Sequence, residues 1–231
     1  YPNVFIPFIM PPDNDNDSNG FPTVNAEVLS TMLAPYPGLF RGYGEIGLYT
    51  RRGGGAAALP PDSQRLLDIY PLLRKGQLAV YFHPGEGQQQ NLERVLQQYP
   101  DIHFIVHGEQ IEQQIGELMG KYPNIYFTAN DLYGDQYLLH PGETPQSFIA
   151  ALSDYETLLR KDLALWKPLI EAHPDQFLWG TDRGGIAVWT FDPAVGRELN
   201  RYIRAFIGRL DPAVQEKFAY KNVEKIFGIG K

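Results

Sequence analysis

Leu78-Ala-Val-Tyr-Phe-His83 is an apolar run that ends in a histidine, and its reading decides the fold. Ala79, Tyr81 and His83 alternate with Val80 and Phe82, so neither face is polar before the last residue. A strand of that kind is covered on both sides, as strands of parallel sheets are. The design recurs at 40–48 (FRGYGEIGL), at 102–107 (IHFIVH) and in Leu178-Trp-Gly-Thr-Asp182. Each segment carries, at or near its end, a residue able to hold a metal or move a proton: Glu45, His107 or Asp182.

Runs at 3–10 and 124–128 bring the expected strands to six, near Phe5, Tyr43, Tyr81, Ile105, Tyr126 and Leu178. Between them lie segments with a 3.6-residue apolar period. One spans 24–33, and another is capped by Asp62, runs through Leu66, Leu67, Tyr70 and Leu73, and is closed by Gly76. Further helices are expected at 89–98, through Ile111, Ile115 and Met119, over 146–172 as one helix or two, and over 193–210 and 212–227. Alternating strands and helices signal βαβ units and a parallel sheet. The expected fold class is α/β, a (β/α)8 TIM-barrel-like domain spanning 1–231, and six strands leave that barrel incomplete or distorted.

Composition bounds the function. A formal charge of −7 with no basic block is unlike a phosphate-binding surface. The absence of cysteine leaves histidine and carboxylates as the metal ligands available. No apolar run approaches a membrane span, and Tyr1 does not open a signal-like segment. The expected partner is a small-molecule substrate, with neither nucleic acid nor membrane, and the sequence is compatible with a homo-oligomer.

In a parallel barrel the C-terminal ends of the strands build the active site. Glu45, His83, His107 and Asp182 would therefore converge at one mouth. Two imidazoles with a carboxylate can hold a divalent metal, which lowers the pKa of water and polarises a carbonyl. Plainer roles compete: a helix cap or an Arg183 partner for Asp182, an Arg41 partner for Glu45, and polar strand ends for the histidines. The period-2 rule puts Arg41, Tyr43 and Glu45 on one face of the second strand. Tyr43, Tyr81, Tyr133 and Tyr137 are candidates to line the pocket. His103 reads as structural, His173 as surface, and His140 sits in an aromatic-rich loop at 130–144 whose length suits a functional loop. Asp13-Asn-Asp-Asn-Asp17 is a poor match to a calcium loop, with Ser18 in place of the turn glycine and Val24 in place of the closing glutamate. Arg51-Arg-Gly-Gly-Gly55 lacks P-loop spacing and reads as a linker.

The ordered set of motifs resembles the amidohydrolase superfamily of metal-dependent barrel hydrolases, in its amidohydrolase-2 branch. It comprises Gly44-Glu45-Ile46-Gly47, Val80-Tyr-Phe-His83, Tyr99-Pro-Asp-Ile-His-Phe-Ile-Val-His107-Gly108, Pro123-Asn-Ile-Tyr-Phe127, Phe177-Leu-Trp-Gly-Thr-Asp182 and Asn222-Val-Glu-Lys-Ile-Phe-Gly228. The resemblance implies a metal ligand at His83, a second ligand or carbonyl polariser at His107, and at Asp182 a metal contact that takes the proton from the attacking water. Glu45 resembles the glutamate ligand of TatD-type nucleases. It further implies a divalent cation, zinc or manganese, and hydrolysis of a small amide, ester or lactone. Decarboxylation of a small aromatic or unsaturated acid is the alternative within this architecture.

One departure stands out: the family's first strand carries a His-x-His pair, and no such pair occurs in this sequence. The strand near Phe5 resembles the family's second. The expectation is therefore that residues precede Tyr1 in the native chain, or that the strand is supplied from elsewhere. Without those two ligands the metal would be held weakly or lost, and a non-catalytic binding protein with a degenerate site becomes a third reading.

Overall fold

The computed structural model describes residues 5–12, 23–49, 58–130, 132, 144–152, 155–181 and 191–229. The chain divides into two compact units, Tyr1–Phe127 and Thr128–Lys231. All six expected strands form: β1 (Phe8–Ile9), β2 (Gly42–Gly47), β3 (Ala79–His83), β4 (Phe104–Val106), β5 (Ile125–Ala129) and β6 (Phe177–Trp179), in sheet order β1-β2-β3-β4-β5-β6. The pairings from β1 through β5 are parallel. With helices between successive strands, this is the α/β architecture expected of a barrel of the (β/α)8 kind, and the described residues form six strands of one sheet that is not closed into a ring.

In the first unit the helices are α1 (Ala26–Leu33), α2 (Gln64–Leu67), α3 (Tyr70–Gly76), α4 (Gln89–Gln98) and α5 (Glu109–Lys121). Their buried positions follow the helical period: Leu92, Val95 and Leu96 on α4, and Ile111, Ile115, Leu118 and Met119 on α5. These side chains cover a core that includes Val80, Phe82, Phe104, Val106, Ile125 and Phe127, each fully buried. Burying a side chain of this size stabilises the fold by about 1.5–3 kcal/mol. Asn124 locks the entry to β5, its buried amide donating to the carbonyls of Leu96 (3.1 Å), Tyr99 (3.1 Å) and Ile102 (3.4 Å).

Three expectations for the 62–76 segment are corrected. It forms two helices, α2 and α3, because Pro71 near the start of α3 has no N–H to continue α2. Ser63 occupies the N-cap position instead of Asp62, whose carboxylate accepts from Asn91 (2.7 Å) and Arg94 (2.6 Å) and so ties this segment to α4. At the far end Gly76 stays within α3 and Gln77 makes the left-handed turn, at φ 52°. A Cβ at Gly76 would lie 3.1 Å from the Leu78 side chain.

The second unit holds α6 (Pro145–Ala151), α7 (Tyr155–Ala172), α8 (Pro193–Ile207), α9 (Pro212–Glu216) and α10 (Asn222–Phe227). The 146–172 segment thus resolves into two helices, and the 212–227 segment is interrupted by a π-helical turn at Lys217–Lys221. Asn222 follows that turn, and its amide donates to the carbonyls of Pro174 (2.9 Å) and Phe177 (2.8 Å), fastening the entry to β6. No described helix is long and apolar enough to cross a membrane. The 13–17 and 51–55 loops, Tyr133, Tyr137, His140 and Asp182 lie outside the described residues.

Candidate metal centre

Glu45, His83 and His107 all belong to the first unit, and each sits at or just beyond the C-terminal half of its strand. The parallel pairing of β2, β3 and β4 brings these ends side by side. His83 closes β3 as the odd face of that strand requires, and His107 follows β4, its backbone N–H donating to the carbonyl of Phe82 at 3.2 Å.

Glu45 arrives by a different route from the one its parity suggests. Tyr43 pairs with Val80, and Ile46 with Phe82, so β2 uses three steps where β3 uses two. The extra residue is a bulge formed by Gly44 and Glu45, whose peptide bond is cis. Gly44 has φ +126°, and a Cβ there would lie 2.3 Å from the carbonyl oxygen of Tyr81, so only glycine fits. The bulge turns Glu45 toward the histidines. It also corrects the expectation for Tyr43: paired with Val80, this tyrosine shares the face of Val80 and Phe82 rather than that of Glu45, and it is 1% exposed. Burial pushes the Tyr43 hydroxyl pKa well up, against a smaller opposing pull from Arg65. Tyr43 is therefore packed in the core, whereas the Tyr81 ring lies 5.1 Å from that of His107.

Glu45 Oε1 stands 2.8 Å from His107 Nε2 and 3.6 Å from His83 Nδ1. One ligand atom from each residue can be chosen so that all three lie within 4.8 Å of one another. Exposure falls from Glu45 (32%) through His83 (19%) to His107 (4%), so the carboxylate is the most open to solvent of the three. Burial alone would raise the Glu45 pKa, but hydrogen bonds and charge from His107 and His83 in their charged form, where both ring nitrogens are donors, outweigh it and hold the carboxyl at about 2. Arg41 is exposed, and the described contacts of Glu45 are with the imidazoles.

The donor set fits a divalent cation. For bonds of about 2.0–2.2 Å in a tetrahedral arrangement, ligand atoms lie about 3.4 Å apart, and the two N–O distances here fall on either side of that value. Two imidazole nitrogens and one carboxylate oxygen are also the protein ligands of many catalytic zinc sites, with one position left open.

The surroundings contain residues that the sequence did not single out. Gln110, in the first turn of α5, places Oε1 2.9 Å from His83 Nε2. The Tyr49 ring meets that of His83 at 4.8 Å. Gly108, at φ +104°, lies so close that a Cβ would come 2.4 Å from His83 Nε2. Gln88, 6% exposed, accepts from Gly85 N–H (2.8 Å) and donates to the Leu48 carbonyl (2.8 Å), stitching together the loops that leave β2 and β3. His-Gly-x-Gln at 107–110 was the available signal for Gln110 and Gly108; nothing local marked Tyr49 or Gln88. His103, at the other end of β4, meets the Tyr126 ring at 5.3 Å, in keeping with a structural role.

Comparison with known proteins follows the same lines. The chain superposes on an amidohydrolase of Burkholderia multivorans crystallised with bound HEPES, at TM-score 0.56 and 13% identity, covering 91% of this chain and 73% of that one. A second crystal form of a Burkholderia multivorans amidohydrolase, with bound zinc, gives TM-score 0.56, 13% identity and coverages of 90% and 71%. The 4-oxalomesaconate hydratase of Rhodopseudomonas palustris matches at TM-score 0.55 and 16% identity, over 95% of this chain and 64% of that one. At these identities the likeness is one of fold. A search of curated proteins returns no match. The sequence model of the amidohydrolase family (Amidohydro_2) matches residues 38–229, a span that includes Glu45, His83, His107 and Asp182, and the chain belongs to that family of enzymes.

Proposed function

We propose that this chain is a metal-dependent hydrolase of a small amide, ester or lactone, in which Glu45, His83 and His107 hold a divalent cation and Asp182 takes the proton from the attacking water. The observation that carries the reading is Glu45 Oε1 set between His107 Nε2 (2.8 Å) and His83 Nδ1 (3.6 Å) at adjacent strand ends. A divalent cation, when bound, supplies Lewis acidity for activating water and polarising a carbonyl. The protein's part is to hold the donors in place. His107 is almost wholly enclosed and braced by the Tyr81 ring, so its nitrogen is fixed in direction, while the more open Glu45 side faces the solvent from which a substrate would enter. A small-molecule substrate suits this reading, and a nucleic-acid partner does not, given the net charge of −7.

Zinc, bound in one Burkholderia multivorans structure, is the cation to test first, with manganese second. Calorimetric titration of the metal-free chain should show binding, and His107→Ala should weaken it by a hundredfold or so, about 2.7 kcal/mol. A panel of lactones, esters and amides, followed with carbon dioxide detection, separates hydrolysis from decarboxylation. A chain that binds neither cation, and whose activity survives Asp182→Asn unchanged, would sink the proposal.

A further inference from the structure

We infer that Gln110 is a positioning residue that sets the tautomer of His83, keeping the proton on Nε2 so that Nδ1 presents its lone pair beside Glu45. The inference rests on the metal-site reading for its purpose, though not for its geometry. Gln110 Nε2 lies 3.2 Å from Glu109 Oε1, and Gln110 Oε1 lies 2.9 Å from His83 Nε2. An ionised carboxylate accepts hydrogen bonds and cannot donate them, so the amide nitrogen must face Glu109. Flipping the amide would set two oxygens against each other at that distance. The amide oxygen therefore faces His83 and, being an acceptor only, requires a proton on Nε2. In neutral imidazole that leaves Nδ1 unprotonated, and Nδ1 is the atom 3.6 Å from Glu45 Oε1.

The ring has little freedom to escape this arrangement. The Tyr49 ring stands edge-on to it at 4.8 Å and the His107 ring lies at 4.5 Å. Gly108 comes so close to Nε2 that no side chain could stand between. One four-residue stretch, His107-Gly-Glu-Gln110, thus contributes one donor, clears room for the ring carrying another, and fixes that ring's proton. A hydrogen bond of this kind, from a ligand imidazole's second nitrogen to a neighbouring acceptor, commonly governs metal affinity by tenfold or more.

The test uses long-range 15N–1H correlation of the histidines in the metal-free chain at about pH 8, where imidazoles are neutral, together with zinc titration. Wild type should show His83 protonated at Nε2. Gln110→Ala should bring in the Nδ1–H tautomer and weaken zinc binding by about tenfold or more. Gln110→Glu, which still offers an acceptor, should retain the wild-type tautomer and most of the affinity. A merely structural glutamine would leave the tautomer alone, so an Nδ1–H tautomer in wild type, or no change in Gln110→Ala, overturns the inference. If wild type binds no zinc or manganese while the tautomer responds as expected, the metal reading fails and the role of Gln110 toward His83 stands.

Discussion

Glu45 in the first unit and Asp162 in the second are both drawn away from water, and their partners differ in kind. Asp162, on α7 and 4% exposed, accepts from the hydroxyl of Tyr202 on α8 at 2.7 Å, with Tyr202 itself fully buried. A phenol has one proton to give and keeps giving it, so this bond cross-links two helices. Glu45 rests against two imidazoles, and each of those can exchange a proton for a lone pair. The helices of the second unit hold their carboxylate with a donor that fixes it; the strand ends of the first hold theirs with groups that can jointly turn to a cation. Burial alone therefore does not mark a reactive carboxylate. The chemistry of its partners does.

The most disruptive way to probe that contrast is on the structural side. Asp162→Ala strands the Tyr202 hydroxyl in the core and leaves a small void, which should cost about 3 kcal/mol of unfolding free energy. Urea denaturation reads this directly. Zinc affinity should stay at the wild-type value, and a parallel loss of binding would mean that the two carboxylates are not independent.

Glu45→Gln should do the converse. Loss of the charge is expected to lower zinc affinity by about tenfold, about 1.4 kcal/mol, while the urea midpoint shifts by less than in Asp162→Ala because the side chain remains one-third exposed. The double variant should add the two effects, since the residues belong to different compact units. An Asp162-like fall in stability from Glu45→Gln, with zinc binding intact, would make Glu45 a structural residue and erase the distinction.

How far the sequence disclosed this site depended on which physical rule governed each residue. Strands buried on both faces read as apolar runs, so all six were legible, and His83 and His107 could be placed at strand ends by simple alternation. Alternation failed in β2, where the bulge at Gly44 sends Tyr43 to the face opposite Glu45. A glycine in a strand was the hint, but the direction of the bulge depends on the Tyr81 carbonyl, which is remote in sequence. The break between α2 and α3 was signalled by Pro71, whereas the displacement of Asp62 from its cap depends on Asn91 and Arg94, about thirty residues away. The 107–110 motif marked Gln110 as a residue but not its role, for the same reason: its hydrogen bond to His83 joins two elements that only the parallel pairing makes neighbours.

The smallest effect expected is in the acid limb of stability. Glu45 has an ordinary pKa of 4.5, and in the folded chain burial, which would raise it, is outweighed by the hydrogen bonds and charges of His107 and His83, which bring it to about 2. Because the folded value is the lower, the unfolded chain binds more protons between the two, and the folded state loses stability as pH falls through that interval. The contribution of Glu45 is complete above 4.5 and fades toward about 2. With a third of the side chain exposed, solvent screening reduces it to on the order of 1 kcal/mol. Metal-free wild type should therefore lose stability more steeply than Glu45→Gln between pH 4.5 and about 3, as read from urea midpoints at several pH values. Superimposable acid limbs would show that the imidazoles hold Glu45 no more firmly than water does, leaving Asp162 as the one carboxylate of the pair with a partner that matters to folding.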